Sequence, residues 1–72
     1  MKREEAVALL RELVTKQFVQ PHLVLLDQRK PDSYQLRING DYDRELIEIL
    51  PNIKKLAVEE DKTQNCLIIF KP

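Results

Sequence analysis

Three groups of residues in this 72-residue chain have side chains that could do chemistry: an acidic series, a lone histidine with a lone cysteine, and a set of cations next to a tyrosine. The acidic series, Asp41-x-Asp43-x-Glu45-x-x-Glu48, has the oxygen-rich character that hard cations need. An EF-hand loop would carry its glycine sixth and a bidentate acid twelfth, whereas Gly40 precedes the series here. Capping of a helix and compensation of its dipole account for the same acids without a ligand, so no metal is expected. His22 follows Pro21 and has no cysteine or second histidine at ligand spacing, which leaves a zinc set incomplete. No partner for general acid–base work is visible beside it, and it reads as a partly exposed residue at a strand edge.

Cys66 lies inside an apolar run, where a free cysteine behaves as a small hydrophobe. It has no basic neighbour in the sequence and no Cys-x-x-Cys spacing to lower its pKa, so it is a poor nucleophile. A single glycine rules out both the Walker loop and the dinucleotide fingerprint. No nucleotide cofactor, and no cofactor of another kind, is expected. These readings together predict a protein that is not an enzyme.

The cations are more suggestive. Arg29 and Lys30 sit in a polar stretch, and Tyr34 and Arg37 follow on an alternating segment. Cations on a loop and strand beside an aromatic ring can hold a phosphate backbone and stack a base. Lys54, Lys55 and Lys62 would extend the patch if they fell on the same side. Against this, Tyr34 has the same alternation parity as Leu36 and Ile38, which favours a place in the core. Twelve basic and twelve acidic residues also cancel, removing any global field for a polyanion. An RNA- or DNA-binding module using Arg29, Lys30, Tyr34 and Arg37 is therefore the second reading of function.

The elements that must position these groups follow from periodicity. Ala6, Val7, Leu9, Leu10, Leu13, Val14 and Phe18 recur with the 3.6-residue period and predict a helix over 3–19, stopped by Pro21. Glu12 and Lys16 make an i,i+4 pair on its wet face. Leu23 to Leu26 predicts a short strand, and Asp27 to Ser33 a long turn centred on Pro31-Asp32. Tyr34, Leu36 and Ile38 alternate with Gln35, Arg37 and Asn39, a second strand that pairs with the first. Gly40 supplies a positive φ, Asp41 or Asp43 caps a second helix, and Pro51 closes it after two turns. A last hairpin joins Leu56–Glu59 to Cys66–Phe70 through a polar turn over 60–63. The five-residue apolar run of its second strand predicts a central position, covered on both faces.

The element order α-β-β-α-β-β predicts an α+β two-layer sandwich, a four-stranded sheet with two helices on one face. Moving the last strand to the front gives β-α-β-β-α-β, so a circularly permuted ferredoxin-like arrangement is the expected topology. At 72 residues the chain is a single domain, 1–72, that buries only about 60% of its unfolded surface. One cysteine leaves it without an internal disulfide. The charged start Met1-Lys2-Arg3-Glu4-Glu5 is not a secretory signal, and no apolar run approaches the roughly 20 residues of a membrane span. The cytoplasm is the expected location, and no membrane partner is expected.

With both helices on one face, some strand residues must point away from them. Leu23 or Val24 on the first strand, with Leu67 and Ile69 or Ile68 on the last, are the candidates. An apolar stripe on an open sheet face, or an apolar edge strand, marks an interface. The first reading of function is thus a protein-interaction module using Leu23, Val24, Leu25, Leu67 and Ile69, with a homodimer as its simplest form. The competing account is that Gln35, Arg37 and long lysines lie over these side chains and shield them.

Overall fold

Helix α1 spans Arg3–Thr15 in the computed structural model, which describes residues 1–40 and 42–72. The backbone N–H of Lys2 donates to the Glu5 carboxylate at 3.3 Å, so an acid in the first turn satisfies a donor at the helix start. The helix ends earlier than its apolar period suggests. Gln17 turns into the left-handed region at φ 63°, its N–H donates to Val14 O, and the N–H of Phe18 donates to Leu13 O. This is a Schellman closure with glutamine where glycine is usual. The chain is therefore turned four residues before Pro21, and Phe18 folds back onto the core instead of extending the helical stripe.

After a short 3-10 turn, Pro21–Leu23, strand β1 runs over Val24–Lys30 and strand β2 over Ser33–Asn39. The long loop expected between them is a two-residue turn, Pro31-Asp32, because β1 continues through Asp27 to Lys30. The polar side chains there lie on a strand with one wet side, and the ladder is made by backbone groups indifferent to side-chain polarity. The register slips between Gln28 and Lys30, leaving Arg29 as a bulge next to the turn. The Gln28 side-chain amide donates to Pro31 O at 2.7 Å and braces it.

Gly40 takes φ +97°, as the turn after β2 requires. Helix α2 spans Leu46–Ile49 and continues without a break into a wider-turned segment, Leu50–Lys54. Pro51 does not close it, contrary to the sequence reading. It stands in the first turn of the wider segment, where a missing N–H is tolerated. Closure comes at Lys55, φ 55°, where the N–H groups of Lys55 and Leu56 both donate to Leu50 O. Asp43 Oδ1 accepts the Glu45 N–H at 2.9 Å just before the helix. Asp41, the alternative cap, lies outside the described residues.

Strand β3 spans Ala57–Asp61 and strand β4 Cys66–Phe70. The turn between them covers 62–65, two residues later than expected. The Asp61 carboxylate accepts the N–H groups of Thr63 and Gln64, and Asn65 takes φ 53°. The protein is thus α+β, with a four-stranded sheet in the order β1-β2-β4-β3 and every neighbouring pair antiparallel. Strand β4 is central, as its apolar run implies.

Register decides which face each residue serves. Val24 is opposite Ile38, Leu26 opposite Leu36, Leu36 opposite Ile69, Ile38 opposite Leu67, and Val58 opposite Ile69, so these residues share one face. Val24, Leu36, Ile38, Leu67 and Ile69 are buried in one cluster with Ala6, Leu9 and Leu13 of α1 and Leu46 and Leu50 of α2. Both helices therefore cover the same face. Glu12 ties them at the surface, taking Lys16 at 3.2 Å and Lys54 at 3.0 Å.

Candidate functional site

The face turned away from the helices carries the odd-numbered residues of β1 and β2 and the even-numbered residues of β4. Across the strands, Leu25 is opposite Arg37, Arg37 opposite Ile68, and Ile68 opposite Glu59. One step along, Asp27 is opposite Gln35 and Phe70 is opposite Ala57. This face is tied together by side chains. The Arg29 guanidinium lies over the Phe70 ring, 4.2 Å from its centroid, and donates to Gln35 Oε1 at 3.3 Å. Arg37 Nε is buried and sits 3.3 Å from Asp27 Oδ2, an ion pair without hydrogen-bond geometry. Ile68 and Phe70 are half-buried beneath this cover. Of the residues that Gln35, Arg37 and long lysines were expected to shield, only Ile68 is on this face, opposite Arg37.

The five residues expected at a protein interface are distributed over three environments. Val24, Leu67 and Ile69 point into the helix-covered core. Leu23 lies in the turn before β1, half-buried, with Cδ1 placed 3.6 Å from where a Cβ on Gly40 would be. Leu25 alone is exposed, at 47%, on the outermost strand of the sheet. Only Ile53, 70% exposed beside Lys54, is another exposed large hydrophobe among the described residues.

The nucleic-acid candidates also divide. Arg29 and Arg37 share the open face, Lys30 stands exposed at the end of β1, and Tyr34 packs against the core on the other side. The aromatic ring that accompanies the arginines is Phe70. Its position could be read only with the β2–β4 register in hand, since alternation within an all-apolar run shows no parity of its own.

At the opposite end of the strands is a cluster that the sequence did not single out. The Tyr42 hydroxyl donates to Glu60, and Arg44 Nη1 donates to the same carboxylate oxygen at 3.0 Å. The Tyr42 and Arg44 bonds hold the Glu60 carboxyl below the usual carboxylate range. Burial, then the bond to Glu60, pushes the Tyr42 hydroxyl up. Tyr42 also bridges to Val19, so the cluster fastens the segment after Gly40 to both β3 and the connection that follows α1. It holds structure, and its three side chains line a surface cavity together with Gly40 and Asn65.

His22 is exposed in the 3-10 turn, and Cys66 is buried with no disulfide partner. Among the described residues no three His, Cys, Asp or Glu side chains come together as a metal would require. Among the same residues no helix is long and apolar enough to cross a membrane. No known protein family, curated protein or solved structure matches this chain.

Proposed function

We propose that the chain is a small, non-enzymatic interaction module that binds protein by adding an extended segment to the free edge of β1. The observation that carries this reading is Leu25, 47% exposed on a seven-residue strand that ends the sheet. An edge strand offers unpaired N–H and C=O groups, and an apolar side chain on it gives an incoming strand something to bury. The other edge, β3, is shorter and carries Glu59, Glu60 and Asp61, charges of the kind that keep an edge from pairing. The simplest occupant is β1 of a second copy, running antiparallel about a two-fold axis so that the same surface serves both chains.

Sedimentation equilibrium over a wide concentration range tests this. The mass rises toward that of two chains, and Leu25→Lys holds it at one chain with the circular dichroism spectrum unchanged. A Leu25→Lys variant that associates as strongly as the parent overturns the edge reading.

A further inference from the structure

Asn39 is the only asparagine in the chain that is followed by glycine. Asparagine is thermolabile because the backbone nitrogen of the next residue can attack its side-chain amide. A side chain on that next residue crowds the attack, and glycine has none. Asn52 precedes Ile53 and Asn65 precedes Cys66, so bulk slows the reaction at both. All three asparagines are exposed, which leaves the following residue and the backbone to decide between them.

At Asn39 the backbone is held, but from one side only. It is the last residue of β2 and is opposite Cys66 on β4. Strand β1 starts at Val24, opposite Ile38, so no residue of β1 pairs with Asn39. The Gly40 N–H, whose nitrogen is the nucleophile, donates to Asn65 O at 3.0 Å. That carbonyl is placed by the turn over 62–65, where the Asp61 carboxylate accepts the Thr63 and Gln64 N–H groups at 3.0 and 3.2 Å. An extended strand end and an engaged N–H both keep the nitrogen from the side chain. Local opening of this end of the β2–β4 pair releases the two restraints together.

We infer that Asn39 is a modification site, a deamidation centre that the fold gates through the Gly40–Asn65 hydrogen bond. On opening, the Gly40 nitrogen gives its proton to hydroxide and bonds to Asn39 Cγ. The Cγ–Nδ2 bond breaks, and ammonia leaves with a proton taken from water, giving a cyclic imide. Water then opens the imide at one of its two carbonyls. Attack at Cγ breaks the new bond and leaves aspartate on an intact backbone. Attack at the Asn39 carbonyl carbon breaks the old peptide bond and leaves isoaspartate, with the backbone running through Cβ and Cγ. Water is consumed, ammonia is released, and nothing is oxidised or reduced. Isoaspartate adds a backbone atom between the Cys66 pairing and the Gly40 bond, so the end of β2 cannot keep both in register.

The test incubates the full chain in mildly alkaline buffer, folded and in concentrated guanidinium chloride, and follows it by intact mass and peptide mapping. The product carries the mass gain of an amide turned acid, confined to Asn39. It forms about tenfold faster in denaturant, a factor set by the hydrogen bonds that opening breaks. Asp61→Ala, with circular dichroism showing the fold retained, frees the carbonyl that holds Gly40. Hydrogen exchange of the Gly40 amide and deamidation of Asn39 then both quicken about fivefold. Asn39→Gln gains no mass. Conversion first at Asn52 or Asn65 overturns the inference. Equal rates in the folded and denatured chain also overturn it, as does an Asp61→Ala variant in which Gly40 exchange quickens and deamidation does not.

Discussion

On the helix side of the sheet, Leu36, Ile38, Leu67 and Ile69 are sealed beneath α1 and α2. Through the same strands, the other face carries Leu25, Asp27, Gln35, Arg37, Ile68 and Phe70, and among the described residues neither helix packs on it. The faces differ in how their apolar groups are kept from water. The helix side does it with other apolar groups, each fully buried aliphatic side chain contributing roughly 1.5–3 kcal/mol. The open side does it with polar side chains, the Arg29 guanidinium over the Phe70 ring and Arg37 opposite Ile68. The first arrangement stabilises the fold, and the second leaves a surface whose parts can be rearranged by a partner. Strand β4 belongs to both, and its neighbours Ile69 and Ile68 show the difference within two adjacent residues.

Truncating those two neighbours gives the largest expected effect and the most direct test of the contrast. Ile69→Ala opens a cavity where Leu36 and Val58 meet it and should cost about 3 kcal/mol. A domain of this size has only about 4–10 kcal/mol in total, so urea denaturation should show a large drop in midpoint. Ile68→Ala, under Arg37 and Glu59, should cost about 1 kcal/mol, since its neighbours are flexible and already reach water. Equal losses at the two positions would break the contrast, because both faces would then be packed cores.

How much of this contrast could be read without coordinates depended on where period alone settled the matter. The stripe of α1 named seven residues, of which Ala6, Leu9 and Leu13 are buried and Val7, Leu10, Val14 and Phe18 half-buried, and the alternation of β2 put Leu36 and Ile38 on one side with Gln35 and Arg37 on the other. Both patterns are local. The run Cys66–Phe70 has no alternation, so its parity came only from pairing with β2, a contact some 30 residues distant in the chain. Composition also misled at Asp27 to Lys30, where a strand with one wet side resembled a loop. The end of α1 was hidden because Gln17 takes a left-handed conformation that glycine usually marks. The Tyr42–Glu60–Arg44 cluster was out of reach altogether, since it joins a loop to an edge strand through hydrogen bonds that no spacing rule encodes.

The cover of the open face can be removed one piece at a time. Arg29→Ala takes the guanidinium from the Phe70 ring and the donor from Gln35, and should cost about 0.5–1 kcal/mol, as for a cation over a ring near solvent. Uncovering the ring should also increase binding of a hydrophobic dye such as ANS while the fold is retained. The double-mutant cycle with Phe70→Leu isolates the pair. A cycle energy of zero would mean that Arg29 merely lies near the ring, and that the open face is wet rather than covered.

The smallest effect at neutral pH belongs to the rim of the helix-side face, where packing gives way to charge. Glu60 is opposite Leu67, yet its carboxylate is held by Tyr42 and Arg44, which keep its pKa below the ordinary value. The unfolded chain takes up this proton at a higher pH than the native protein does. Stability from the site is therefore full above the ordinary carboxylate range and is lost as the pH falls through the native value. Glu12, held by Lys54 and Lys16, and Glu5, held by the Lys2 N–H and Lys71, shift in the same direction. Glu60→Gln should therefore flatten the fall of the urea midpoint between about pH 5 and pH 2 without abolishing it, because Glu5 and Glu12 still protonate. An acid limb that superimposes on that of the parent would mean that the Tyr42–Glu60–Arg44 cluster contributes nothing to folding, and that packing alone holds the helix side out to its rim.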